Sequence, residues 1–440
     1  MKKQKKIFLG VQEIAGMMER LNNAFREMGM ESDFYCMDKY TFTSEQKKNN
    51  TSILKKFYIH SDKRCNATNE YEKNWWYFLQ MWDILYIFFY VLFKYDLFIY
   101  IFGHGMFFYN KYLSRIEELE FFLLKIFRKR IVMWLCGSDS RAPYCDAYLH
   151  ACSCQVEEVF RVFNATKKRS KRIKMLEKHM ILIDNPASSH FHTKPYLICN
   201  CIGIPIDDKE KIHTNKKSDG KVIVLHVPSN QKTKGTDTIR AIINEIKKEG
   251  HEVEYEEVSG LPHRIVLEKI AISDIAIDQV YCDTPMAGFA TEAGINGIPV
   301  IVGGYYAEEY KKILPQPIAP TVYCKPEELK ENLIYLIEHE EERKRIGEEE
   351  KKYIEDNCLA TTVANNFLKI FDNSYPEEWI FNPNDNDYIW GCGVDKKLVT
   401  DSIVKLIDTY GPDSLCLDEN SSLYKKYIQL YKEAKDTRET

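Results

Sequence analysis

Two lysines in a short polar loop and one carboxylate beside a run of glycines are the residues of this 440-residue chain best suited to hold a phosphate-bearing ligand. The loop reads V-P-S-N-Q-K-T-K-G-T and follows the apolar run Val222 to His226. Lys232 and Lys234 supply positive charge just ahead of a helix start, where free backbone N–H groups favour an anion. Ser229, Asn230 and Thr236 add neutral donors. The carboxylate is Glu292, within the stretch Ala276–Gly304, which reads strand, small-residue loop, helix, strand. A glutamate there suits a pair of hydroxyls such as a ribose diol. Gly288, Gly294 and Gly297 remove side chains where a backbone must turn or be approached closely. Solvated lysines and a helix-capping glutamate account for each motif taken singly; their common position at strand ends makes them a candidate site. In the first half, His104 follows the run Tyr95 to Phe102. Ser138, Asp139 and Arg141 follow the run Ile131 to Leu135 in C-G-S-D-S-R.

The elements that must carry these residues alternate strand and helix, the pattern of an α/β chain with parallel sheets. Strands are expected at Ile7 to Gly10 and Ser32 to Cys36, with the turn Gly10 to Gly16 and a helix between them. This opening lacks the full G-x-G-x-x-G fingerprint, which disfavours a dehydrogenase. A second such half begins at Val222. The boundaries expected are a first domain at 1–208, a linker at 209–220, a second domain at 221–371 and a helical extension at 372–440. The stretch Pro326 to Asn357 reads as one long charged helix.

Composition is that of a globular protein, with 45% hydrophobic and 29% charged residues. Residues 1–200 hold 31 Lys+Arg against 21 Asp+Glu, and the remainder 30 against 44, so the net charges are +10 and −14. A basic first half suits an anionic surface or substrate. The thirteen cysteines show no disulfide-framework spacing, and Lys2 to Lys6 lead straight into a short strand, so a reducing, cytoplasmic setting is expected. Cys152/Cys154 and Cys199/Cys201 have the wrong gaps for a zinc knuckle, and no metal is expected. From Asn74 to Phe93 the chain is densely aromatic. Its uninterrupted apolar run of ten residues, Ile84 to Phe93, is short for a membrane span; a buried helix and one lying in a membrane interface both remain open.

Several ordered motifs carry a family resemblance: H-V-P-S-N-Q-K-T-K-G-T, S-G-L-P-H, D-I-A-I-D-Q and G-F-A-T-E-A-G-I-N-G-I-P-V-I. Over residues 222–370 they resemble the donor half of GT-B glycosyltransferases, in particular the retaining family 4 enzymes of bacterial surface-polysaccharide biosynthesis. A weaker likeness over 1–205 rests on G-V-Q-E-I-A-G, F-G-H-G, C-G-S-D-S-R and I-G-I-P-I-D. The resemblance implies two Rossmann-like domains facing a cleft, with the C-terminal extension partly crossing back to the first. It implies a nucleotide-sugar donor, with UDP- or GDP-sugar the expected choice, and a hexosyltransferase-like enzyme working without a metal or further cofactor. The acceptor would be a lipid-linked or surface glycan, the setting peripheral to the inner membrane face, and no nucleic acid would take part. Carried over residue by residue, Glu292 binds the donor ribose and Lys234 neutralises the diphosphate. Gly16 approaches the phosphates, Gly260, Leu261, Pro262 and His263 sit against the base, and Gly288, Phe289 and Thr291 line the sugar pocket. The first glutamate of the family's pair is absent; Thr284 stands there, with Asp283 adjacent as a substitute sugar ligand. Where relatives often place a histidine before G-S-D-x-R, this chain has Cys136, which leaves His104, with Asp139, as the first-domain candidates near the transferred sugar. A non-catalytic binding module and a sugar-nucleotide epimerase are the alternatives on the same fold.

Overall fold

A computed structural model of the chain describes residues 5–38, 52–146, 156–212, 220–281, 284–315 and 318–439. The chain divides into two compact units. Unit one comprises Met1–Cys136, Met175–Ile183 and Ala364–Tyr375; unit two comprises Gly137–Lys174, Asp184–Val363 and Pro376–Thr440.

Unit one is built on β1 (Ile7–Val11), β2 (Ser32–Cys36), β3 (Leu97–Ile101), β4 (Arg130–Trp134) and β5 (Ile181–Asp184). They are parallel and lie in the order β5-β4-β3-β1-β2. β1 and β3 are buried at every residue, as their unbroken apolar runs require of strands covered on both faces. Phe8 packs its ring against Phe98 and Tyr100 at centroid distances of 5.3 and 5.9 Å. α1 (Met17–Glu27) turns Met17, Met18, Leu21 and Phe25 inward. α2 (Lys55–Cys65) precedes the aromatic stretch. α3 (Glu70–Lys94) starts where the Asn69 side chain accepts the Glu72 N–H, with acids in its first turn and Lys94 in its last, as the helix dipole favours. Its buried side is mostly aliphatic, so the aromatic run is only partly a core helix. α4 (Glu117–Ile126) follows one turn of 3-10 helix.

Unit two contains α5 (Val156–Leu176), the short strand β6 (Tyr196–Ile198) and α6 (Cys199–Ile202). Its main sheet consists of β7 (Val222–His226), β8 (Val253–Glu257), β9 (Ile275–Gln279), β10 (Val300–Gly303) and β11 (Val322–Cys324). These are parallel, in the order β11-β10-β9-β7-β8. Between β7 and β8 run α7 (Gln231–Lys234) and α8 (Thr236–Lys248). α9 (His263–Ile272) precedes β9, α10 (Gly288–Ile295) follows it, and α11 (Ala307–Ile313) precedes β11. The expected single helix over 326–357 is two, α12 (Leu329–Glu338) and α13 (Glu340–Asn357). The break at His339 is stabilised by Arg343, whose guanidinium donates to the last carbonyls of α12, Leu336 and Ile337. One core lies under α8 and α12, the other under α9, α10 and α13. A Cβ at Gly347 on α13 would collide with the Gly297 carbonyl, so this helix meets the α10–β10 turn backbone to backbone.

After α14 (Ala360–Asp372), the strand β12 (Ile380–Phe381) pairs antiparallel with β6. The extension ends in α15 (Lys396–Tyr410) and α16 (Ser422–Glu439). It packs on the earlier part of unit two: Tyr410 stacks on Phe163 at 4.3 Å and Tyr427 meets Tyr144 edge-on at 5.4 Å.

In both sheets the first strand lies between the second and the third. Sheet growth reverses direction at that point, and the crevice outside the strand carboxyl ends there is the usual ligand position of such folds.

Candidate functional site

In unit two the reversal lies between β7 and β9. The loop after β7 carries the predicted lysines, and β9 ends in Asp278 and Gln279. The structure couples the two ends: Lys234 Nζ donates to Asp278 Oδ1 at 2.8 Å, the lysine mostly buried and the aspartate fully so. Lys234 is thus held at the carboxyl edge of the sheet by a buried counter-charge. Both lysines belong to α7, a single helical turn, where the sequence suggested open loop. Asn230 acts as its cap, its Oδ1 accepting the Thr233 N–H at 3.1 Å, so its oxygen faces the backbone. Gly235 links α7 to α8 at φ +72°, and a Cβ there would stand 2.7 Å from the Val280 side chain; the turn is closed to other residues. Thr236 is buried and bonded to His226 Nε2 at 3.0 Å, while His226 Nδ1 lies 2.8 Å from the Ile277 carbonyl. Burial holds the His226 pKa below its ordinary value. This histidine ties β7 to β9 from inside. Ser229 and Lys232 are exposed.

The second cluster is carried by the helices that follow β8 and β9. α10 starts at Gly288, so Glu292 lies in its second turn, nearly buried, with Oε1 2.9 Å from His263 Nε2. His263 opens α9 directly after Gly260, Leu261 and Pro262, which are exposed. The predicted base-side loop and the predicted ribose carboxylate therefore meet. Glu210 joins them: one ligand atom from each of Glu210, His263 and Glu292 lies within 4.8 Å of the others, the group among the described residues able to converge on a cation. Thr291 is turned back on its own helix, its hydroxyl donating to the Ala287 carbonyl at 3.0 Å. Phe289 is partly buried against the core under α10. Gly294 makes room for the Ile354 side chain on α13, so its close approach is helix packing. Asp283 lies outside the described residues. Thr284 accepts a hydrogen bond from Asn185 Nδ2 at 3.2 Å, which gives this residue a partner within unit two that spacing did not suggest.

Asp139 is buried. Its neighbours in G-S-D-S-R form a bonded turn. Ser140 Oγ donates to Asp184 Oδ1 at 3.1 Å, and Arg141 pairs with Asp146 at 3.4 Å. Asp184 also accepts from Ser188 and lies 3.0 Å from His192 Nε2, with both members of that pair fully buried. This network was missed, because neither Asp184 nor His192 stands in a motif. The only sequence mark is Asp184, a charge at the end of an apolar strand.

In unit one the reversal lies between β1 and β3, and Gly16 and His104 follow those strands. Gly16 caps α1, but the first amides of α1 are already taken: Glu13 accepts from Met18 and Glu19 at 3.2 and 3.0 Å. Burial raises the Glu13 pKa to about 7 against those hydrogen bonds. His104 stacks on Phe108 at 3.5 Å and has Nδ1 3.5 Å from Glu117 Oε1. Glu120 holds the same loop, accepting from Met106 and Phe107 N–H and from the Tyr100 hydroxyl at 2.8 to 2.9 Å. Burial raises its pKa to about 7 as well.

The order of both sheets and the placing of these ends agree with one architecture. The fold is GT-B. The chain is similar over 84% of its length to sucrose-phosphate synthase from Thermosynechococcus elongatus, at 12% identity, 99% of that chain and a TM-score of 0.52. It also matches Anabaena Alr3699/HepE, solved with UDP and glucose, at 9% identity, 84% of this chain, 100% of that one and a TM-score of 0.45. No family model and no curated protein matches the sequence.

Proposed function

We propose that the chain is a glycosyltransferase that moves a sugar from a nucleotide sugar to a lipid-linked or surface-glycan acceptor, with retention and without a metal ion. The observation that carries this reading is the Lys234–Asp278 pair at the reversal point of the second sheet, with Glu292 on the helix that leaves the same strand β9. In this reading Lys234 faces the donor diphosphate and Glu292 exchanges its His263 contact for the ribose hydroxyls. Transfer breaks the bond between the anomeric carbon and the diphosphate oxygen, and the electron pair leaves on the phosphate. The acceptor hydroxyl oxygen forms the new bond and its proton passes to the departing phosphate. A lysine fixed in advance stabilises the charge that develops, where a metal-dependent enzyme would use a cation. His104 and Asp139 are assigned to the transferred sugar and Gly16 to the phosphates; retention is inherited from the resemblance.

The test is release of nucleoside diphosphate from UDP-, GDP-, ADP- and CMP-sugars with a lipid-linked acceptor mixture. Turnover with one donor, lost in Glu292→Ala and unchanged by EDTA, is expected. Binding without turnover for every donor would favour a non-catalytic module, the reading supported by Thr284 in place of the family's glutamate and bonded to Asn185. Epimerised sugar without an acceptor would favour the epimerase. A cytoplasmic setting follows from the same reading and is checked by fractionation.

A further inference from the structure

We propose that unit one docks on an anionic lipid bilayer through one aromatic face formed by α3 and α4, an inference that deepens the acceptor side of the reading above and rests on it for the purpose of docking. At about 100° per residue, Trp75, Phe78, Trp82, Tyr86, Phe89 and Phe93 fall within an arc of about 80° on α3, along roughly 27 Å of helix. All six are between 43% and 68% exposed. The opposite side of the helix is the buried one, with Gln80, Ile84, Ile87, Phe88 and Val91. Apart from Phe88, which is buried, α3 thus turns aliphatic residues to the core and leaves a stripe of six rings in solvent, which solubility alone disfavours.

The face continues onto α4, where Leu119, Phe122, Ile126 and then Phe127 are 41% to 56% exposed. Phe93 meets Phe127 edge-on at 5.6 Å and joins the two stripes. An apolar surface of this extent on one unit marks an interaction site. Tryptophan and tyrosine, with an apolar body and a polar edge, are the side chains that settle at the headgroup level of a bilayer.

Charge selects the occupant. Residues 52–130 carry 12 Lys+Arg against 8 Asp+Glu, and two of those acids, Glu117 and Glu120, are buried. Lys125, Arg128 and Arg130, all exposed, surround the end of α4 beside Phe127, so cations border the apolar face where the stripes meet. Apolar rings bordered by cations fit anionic headgroups over acyl chains. By length and composition α3 is also able to span a membrane. Its packed side opposes that, since Arg64 on α2 donates to Gln80 at 2.8 Å and His60 lies 2.5 Å from Asp83. The face enters the interface while the helix stays on the unit.

The full-length chain is floated with vesicles of phosphatidylcholine alone and with vesicles that also contain phosphatidylglycerol. A Trp75→Ser/Trp82→Ser/Phe93→Ser variant and a Lys125→Gln/Arg128→Gln variant run beside it. The wild type is expected to float with the anionic vesicles, the triple variant at least tenfold less, and the charge variant to lose the salt-sensitive part. Melting temperature and the shift on adding UDP are read in the same samples to show that each variant is folded. No flotation of the wild type, or equal flotation of the folded triple variant, overturns the proposal. So does a wild-type dimer or stable protein complex that the triple variant abolishes while lipid binding is unchanged, since the face then belongs to a protein. Flotation without any nucleotide-induced shift counts against the transferase reading and leaves the docking face standing.

Discussion

Replacing Lys234 by methionine tests whether this lysine serves a ligand or only its aspartate. Asp278 has no solvent contact and Lys234 Nζ is 2.8 Å away. Lys234→Met alone leaves a buried carboxylate without its counter-charge, which costs about 3–5 kcal/mol. Lys234→Met/Asp278→Asn removes both charges at similar volume, and its stability is expected to return to within about 1 kcal/mol of the wild type. Binding should not return with it. A lysine–phosphate hydrogen bond is worth about 1.5–3 kcal/mol, so the double variant should bind UDP roughly 10- to 150-fold more weakly. Urea unfolding gives the stabilities and calorimetric titration the affinities. A stable double variant with wild-type affinity would refute the assignment, because Lys234 would then do no more than hold Asp278.

Three further outcomes follow from the packing. The folded pKa of Glu120, about 7, lies above its ordinary 4.5, so its ionisation destabilises the fold; the contribution of this one group is greatest below pH 4.5 and falls by about 3 kcal/mol as pH rises to 7. Glu120→Gln should flatten that slope while costing about 1–3 kcal/mol for a mismatched donor, as denaturation across pH would show. Glu350 is fully buried, accepts the Val300 N–H at 3.1 Å, and has no partner for Oε2 among the described residues; burial pushes its pKa well up. Glu350→Gln should therefore raise the melting temperature more at alkaline pH than at pH 5, as thermal unfolding at the two pH values would show. Gly235→Ala should destabilise by about 2–4 kcal/mol and weaken nucleotide binding with it, since the turn that presents Lys234 cannot hold a Cβ.

The strands were the legible part of this fold. β1, β7 and β9 are covered on both faces, so their apolar runs are unbroken and turn residues bound them. The candidate site was legible in residue type and less so in geometry. Spacing placed Lys234 and Glu292 at strand ends, but their present partners, Asp278 and His263, lie 44 and 29 residues away. Glu13 occupying the amides of α1, Thr284 held by Asn185 and the Asp184–His192 pair belong to the same class. Each is a long-range or capping choice among several carboxylates or amides, and local propensity does not rank them. The break at His339 escaped because the charged run on both sides favours helix equally; only the reach of Arg343 to the exposed carbonyls marks the end.

The backbone meeting of Gly347 with Gly297 has a consequence for how α13 holds its register. A helix this rich in Glu, Lys and Arg exposes much the same surface if it slides along its axis by one turn, so charge alone leaves several seats nearly equivalent. One missing side chain leaves a single seat. A saturation scan of 340–357 should therefore show broad tolerance interrupted at Gly347 and at the inward positions Arg343, Ile346, Glu350 and Ile354, with even alanine rejected at the glycine.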